Sequence, residues 1–147
     1  MEIYQIKQNK KQFLTLLLLA DEQETRINSY LARGTLYVLD DKGVKAVCVV
    51  TDEGNKIAEI KNLAVDPAWQ KKGYGKAMIR YIIQRYKKAY RILRVGTGDT
   101  PATVPFYEKC GFCKTFYIKN FFTDNYDHPI FEGGRQLIDM VYLEMKL

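Results

Sequence analysis

A single histidine, His128, stands in 147 residues, and the three cysteines (Cys48, Cys110, Cys113) are an odd number. The odd count argues against a disulfide framework. His128 is far in sequence from every cysteine, so no zinc ligand set is recognisable and no metal is expected. Cys110-Gly-Phe-Cys113 has the spacing of a redox pair. In such pairs the first cysteine opens a helix, where the dipole favours thiolate. Cys110 follows a predicted helix instead and precedes Gly111, which argues against redox chemistry. The apolar run Phe13–Ala20 falls far short of the ~20 residues that cross a membrane. Met1–Gln8 alternates polar residues and carries no mark of a signal peptide. The expected location is cytoplasmic, with no membrane partner. No repeat, linker or low-complexity stretch divides the chain, so residues 1–147 read as one domain.

What is present is a globular composition, 47% hydrophobic and 27% charged. The net charge of +6 suits either a soluble surface or a field that draws anionic ligands. Lys71, Lys72 and Lys76 cluster, as do Arg85, Lys87, Lys88, Arg91 and Arg94. No nucleic-acid recognition motif accompanies them, and nucleic acid is not an expected partner.

Periodicity gives the elements. Glu2–Lys7 alternates as a strand, and the dense leucines of Lys10–Ala20 suit a buried helix. Asp21-Glu-Gln-Glu24 resembles a capping box, so Asp21 is expected to cap a second helix running to Ala32, closed by Gly34. Thr35–Leu39 and Val44–Val50 form a hairpin around Asp40-Asp41-Lys42-Gly43, and Lys56–Val65 extends the meander. Gly73–Tyr90 carries Tyr74, Ala77, Met78, Tyr81, Ile82 and Tyr86 at helical spacing. Arg91–Thr97 follows as a strand parallel to Lys56–Val65, because a strand–helix–strand order implies a crossover. Thr103–Lys109 is a short helix with Pro105 in its first turn. Phe112–Ile118 and Leu137–Leu147 close the sheet as a long hairpin. The C-terminal strand, read as a sheet edge, offers a route to a homodimer.

The segment Lys56–Ile79 is the most informative. Its helix opens on Gln70-Lys-Lys-Gly73-Tyr-Gly75, which sets backbone N–H groups and lysines at the positive end of a helix, a site for phosphates. A Walker loop needs Ser or Thr after Gly-Lys, but Ala77 follows Gly75-Lys76. A dinucleotide fingerprint needs a third small residue where Met78 stands. Both patterns fail.

What remains, AVDPAWQKKGYGKAMI, resembles the signature of the GNAT superfamily of acetyl-CoA-dependent N-acetyltransferases: Gln/Arg-x-x-Gly-x-Gly/Ala after a strand. Phe106-Tyr107-Glu-Lys-Cys-Gly111-Phe112 is similar to the family's second motif, and the stretch from Phe121 onward resembles small bacterial members. The resemblance implies a mixed α/β (α+β) single-domain GNAT fold. Its mostly antiparallel sheet is splayed between two parallel strands and flanked by about four helices. It implies acetyl-CoA as cosubstrate and a primary amine as acceptor, either a small amine or a peptide or protein amine. Attack would be direct, in a ternary complex. The alternative is a non-catalytic acyl-CoA-binding sensor.

The resemblance also implies roles. Backbone of Leu63, Ala64 and Val65 would take the pantetheine arm. Gln70, Lys71, Lys72, Gly73, Tyr74, Gly75 and Lys76 would take the pyrophosphate, with Thr100 and Lys109 as further cofactor contacts. Asp99-Thr100 departs from the Asn-Ser common there; a carboxylate cannot donate a hydrogen bond, but Thr100 can. Tyr107 would be the general acid at the departing sulfur, since a phenol stays protonated at neutral pH. The N–H groups around Leu63–Val65 would polarise the carbonyl.

Glu59 lies in a strand expected to be covered on both faces, where burial raises a carboxyl toward the range of a general base. A salt bridge to Lys61 is the competing reading. Asn62 either orients substrate or satisfies a bulge. Asp124, Asp127, Glu132 and Tyr126 are available to a cationic amine, or the loop Lys119–Gln136 is simply solvated.

Overall fold

Two nearly continuous apolar runs, Leu36–Leu39 and Ala46–Val50, become strands buried on both faces. The computed structural model describes residues 1–147. Strands β1 (Glu2–Ile6), β2 (Thr35–Asp40), β3 (Val44–Asp52) and β4 (Ile57–Val65) form the expected antiparallel meander. β5 (Ile92–Gly98) lies parallel to β4. β6 (Cys113–Ile118) and the small β7 (Phe131–Glu132) and β8 (Arg135–Gln136) precede β9 (Met140–Lys146). The main sheet runs β1-β2-β3-β4-β5-β9-β6.

That order corrects one expectation. β9 is inserted between β5 and β6, so the C-terminal strand is not an edge. The edge is β6, whose residues are exposed throughout.

Each face of the sheet carries helices. α1 (Leu14–Ala20) and α2 (Glu24–Leu31) cover Leu36, Val38, Val47, Val49 and Ala64. α3 (Tyr74–Tyr86) and α4 (Val104–Lys109) cover the other face, where Met78, Ile79 and Ile82 meet Tyr37, Cys48, Ile60 and Leu93. α5 (Phe121–Asn125) sits in the long connection with a small cluster of its own, Phe122, Ile130 and Leu137.

Three further expectations change in detail. Lys10–Phe13 is a 3₁₀ turn, and in α1 only Leu17 is buried, because the helix covers one face of the sheet and leaves its outer side wet. Asp21 does not cap α2; Gln23 holds that position without a side-chain capping bond, and the Asp21 carboxylate turns inward to two tyrosines. The end of α2 is held by Lys10, whose Nζ donates to the carbonyls of Leu31 (2.9 Å) and Gly34 (2.7 Å).

Candidate active site

The β4–β5 pairing runs from Ile57↔Ile92 to Ile60↔Val95 and then stops. Beyond Ile60 the two strands have no partner in each other. They open onto a cleft of about 710 Å³ lined by Leu63, Ala64, Val65, Gly96, Thr97 and Gly98. A bulge in β4 re-aims its side chains. Val49 faces Asn62 while Val50 faces Ile60, leaving Lys61 unpaired. As a result Ala58 and Ile60 point to the α3 core, whereas Asn62 and Ala64 point to the α1–α2 side.

At one end of the cleft the loop before α3 supplies donors. Lys71 (φ 62) and Gly73 (φ 91) are both left-handed, which turns successive N–H groups toward one side. No backbone N–H from Lys71 to Lys76 finds a backbone acceptor; the Gly73 carbonyl first accepts from Ala77. Two glycines serve here for different reasons. A Cβ on Gly73 would meet nothing, so the demand is conformational; one on Gly75 would stand 3.1 Å from the Phe106 ring. Gln70 Nε2 donates to the Val65 carbonyl at 3.2 Å, tying the loop to the end of β4. Such a row of orphan donors flanked by Lys71 and Lys76 fits a polyphosphate.

Across the cleft from β4, Tyr107 of α4 is buried between Phe106 and Phe112. Its phenol makes no hydrogen bond to the protein, and burial pushes its pKa upward, so it stays protonated. Glu59 is buried on β4 and ion-paired with Lys61 at 2.9 Å, with the Tyr142 hydroxyl at 3.5 Å. Burial raises the Glu59 pKa, against the lowering by Lys61. Both readings of this carboxylate therefore have a physical basis: the salt bridge exists, and the group is still held above its ordinary range.

The remaining wall comes from α1, α2 and the connection to β9. Asp21 accepts from Tyr126 (2.6 Å) and Tyr30 (2.9 Å), and Asn62 Nδ2 donates to the Tyr30 hydroxyl (3.2 Å) and the Leu17 carbonyl (2.9 Å). Burial raises Asp21, opposed by its two tyrosine donors and by Arg26. The Arg26 guanidinium lies over the rings of Phe121 (5.4 Å) and Tyr126 (5.9 Å). No group of three or more His, Cys, Asp or Glu is placed to hold a metal. No helix is long and apolar enough to cross a membrane.

A model of the acetyltransferase (GNAT) domain matches residues 32–114. A Bacillus subtilis (strain 168) protein named uncharacterized N-acetyltransferase YvbK is 36% identical over 135 residues, 90% of this chain and 87% of its own. The chain belongs to the GNAT family of acetyltransferases. A solved GNAT acetyltransferase from Elizabethkingia anophelis, with acetyl-CoA bound, is 34% identical at a TM-score of 0.94, covering 99% of this chain and 97% of that one. A Bacillus cereus ATCC 14579 structure described as an IAA acetyltransferase is 35% identical at 0.93, covering 99% of both chains.

Within this GNAT fold the expected site residues separate into two sets. Glu59, Asn62, Leu63, Ala64, Val65, Gln70, Lys71, Gly73, Tyr74, Gly75, Lys76, Tyr107 and Tyr126 all line one cleft. Lys72 and Lys109 are exposed and outside its wall. Thr100 is buried beside a separate small hollow, outside the cleft, with its Oγ1 accepting from the Ala102 N–H. Asp124 and Asp127 are exposed and off the cleft, because α5 turns only Phe121 and Phe122 inward. Glu132 does line it.

Asn62 follows the bulge, whose unpaired residue is Lys61, and its amide bonds no bulge backbone. Its amide is fixed by Leu17 and Tyr30 and still faces the cleft. Arg26, Tyr30 and Tyr142 were not foreseen. The spacing of Arg26 and Tyr30, four apart on one helix face, was the available signal for the first two.

Proposed function

We propose that this protein transfers the acetyl group of acetyl-CoA to a primary amine by direct attack in a ternary complex. The observation that carries the reading is the single cleft joining the Lys71–Lys76 N–H row, the opened end of β4 and Tyr107. Acetyl-CoA supplies an activated thioester carbonyl; the chain supplies placement, charge and protons. The N–H row and the lysines hold the pyrophosphate, and the unpaired edge of β4 over Leu63–Val65 takes the pantetheine arm. Backbone N–H on that edge polarises the carbonyl oxygen.

Glu59 accepts a proton from the amine, directly or through one water, as the N–C bond forms. Tyr107 gives its proton to the sulfur as the C–S bond breaks. No covalent enzyme intermediate is needed, and no thiol is suited to one: Cys48 is buried with its pKa raised, Cys110 ends α4 with its own raised by burial, and the exposed Cys113 on β6 lies outside the cleft.

The test is acetyl-CoA-dependent thiol release over a panel of amines, in wild type and Tyr107→Phe. Turnover with at least one amine is expected, reduced about 10²–10⁴-fold in the variant with acetyl-CoA affinity kept. Tight acetyl-CoA binding with no turnover across the panel would favour a sensor. Normal turnover in the variant would remove Tyr107 from the mechanism.

A further inference from the structure

Only two buried side-chain polar atoms in the chain lack a hydrogen-bond partner: Nε of Arg26, a donor, and Oδ1 of Asn62, an acceptor. Native interiors pair the large majority of such atoms. Both residues line the cleft, on the α1–α2 side of the sheet and away from the N–H row of α3. Two orphans of opposite sense in one site call for a ligand that brings an acceptor to one and a donor to the other.

The sense of each is fixed. Asn62 Nδ2 donates to the Leu17 carbonyl and to the Tyr30 oxygen, and the Tyr30 proton is engaged by Asp21. A flipped amide would set oxygen against the Leu17 carbonyl, so Oδ1 is the free acceptor. Asn62 is 3% exposed, on the same face of β4 as Glu59. Its free oxygen is therefore a donor-seeking atom close to the base.

Arg26 makes no direct ion pair, and its nearest charged influence is Asp21. Of its companions in this wall, Lys61 pairs with Glu59 and Arg33 with Glu53, each at 2.9 Å. Asp21 is near enough to feel Arg26, but its two oxygens are held by Tyr30 and Tyr126. The Arg26 guanidinium lies 5.4 Å from the Phe121 ring centre and 5.9 Å from that of Tyr126, and its unpartnered Nε–H is the donor offered to an anion. Arg26 and Tyr30 are one helical turn apart on α2, and Tyr30 bonds Asn62, so the two orphans belong to one wall of the cleft. Around them Leu19, Phe122, Ile130 and Leu137 give an apolar lining.

We propose that the acceptor is an amino carboxylate with an apolar body. Its carboxylate docks on Arg26, and its amine donates to Asn62 Oδ1 beside Glu59. This deepens the acetyl-transfer reading and rests on it. Arg26 is a specificity residue here, and Asn62 positions the nucleophile.

The test compares L-phenylalanine and L-leucine with their carboxamides and with putrescine, in wild type, Arg26→Met and Arg26→Lys. Met keeps the apolar stem against Phe121 and Tyr126; Lys keeps the charge without the fork. In thiol release, kcat/KM for the carboxylates should exceed that for the carboxamides and putrescine at least ~10-fold. That ratio should collapse toward one in Arg26→Met, mainly through KM, with partial recovery in Arg26→Lys. Calorimetric titration of L-phenylalanine into the protein–CoA complex should show the same loss in Arg26→Met.

Preference for carboxamide or diamine overturns the proposal, as does a ratio unchanged by Arg26→Met. Failure of any amino carboxylate both to bind and to turn over does so too. Arg26-dependent binding without acetyl transfer to any amine would sink the transfer reading and leave the carboxylate subsite standing.

Discussion

The Tyr126 hydroxyl donates to Asp21 Oδ1 at 2.6 Å across 105 positions of sequence. The bond ties the connection between β6 and β9 to the turn between α1 and α2. A second tie lies beside it, from the Asp127 N–H to Gln23 Oε1 at 3.0 Å. The connection's own core is small: Phe122, Ile130 and Leu137. The α1–α2 wall of the cleft, proposed above for the acceptor, therefore depends on a clasp, whereas the opposite wall is built on α3 and the central sheet.

Removing that clasp should loosen the connection selectively. Tyr126→Phe keeps the ring, stacked on Phe122 at 5.7 Å, and deletes a hydrogen bond to a carboxylate, about 1.5–3 kcal/mol. Amide exchange across residues 119–136 should speed up, and the KM of the acceptor should rise several-fold. Acetyl-CoA affinity should hold. Unchanged exchange in that segment would show that the bond constrains nothing.

Glu59 gives a pH prediction with a definite sign. A base acts as carboxylate, and burial holds this one above the ordinary 4.5. The acid limb of kcat/KM should therefore lie above 4.5 and vanish in Glu59→Gln along with most activity. Lys61 is the main group that lowers Glu59, with Arg94 behind it, so Lys61→Met should move the limb to higher pH. A carboxylate that is only structural would leave the limb where it was. Stability follows the same linkage. With the folded pKa raised, the contribution of Glu59 is present below 4.5 and lost as pH rises through the folded value. The Tm difference between Glu59→Gln and wild type should shift in favour of the variant over that rise.

The loop before α3 was legible because it is local. Gln70–Lys76 is one contiguous stretch whose glycines are demanded by φ and close approach, and those demands appear directly as residue types. The meander and the parallel crossover followed from periodicity and element order. The acceptor side was not legible, because its contacts are long-range. Asp21 has the residue type and spacing of a helix cap, and only the arrival of Tyr126 shows that its carboxylate is claimed elsewhere. The insertion of β9 between β5 and β6 is likewise invisible to a hairpin reading, since a hairpin fixes which strands pair and not which lies outermost.

The N–H row can be blocked without touching the core. Gly73 is left-handed at φ 91 with open space around its Cα. Gly73→Glu adds backbone strain of about 1–3 kcal/mol and a negative charge at the helix start where phosphates would bind. Acetyl-CoA affinity should fall at least ~100-fold in equilibrium titration. Gly73→Asn, which tolerates this conformation, should lose far less. Equal affinity for wild type and Gly73→Glu would remove the phosphates from this loop.

The acceptor wall can be disturbed from the opposite direction, by overpacking. A Cβ on Gly98 would stand 2.6 Å from Leu137 Cδ2, and Leu137 belongs to the Phe122–Ile130 cluster of the connection. Gly98→Ala should therefore cost about 1–3 kcal/mol, or roughly 2–4 °C of Tm per kcal/mol at this size. The harm should fall on acceptor KM before acetyl-CoA affinity, because Leu137 lines the cleft while the N–H row is on another element. Leu137→Ala makes room for the new methyl, so the two substitutions should be coupled and the double variant less damaged than their sum. Additive losses in Tm would mean that Gly98 is required for something other than the approach of Leu137.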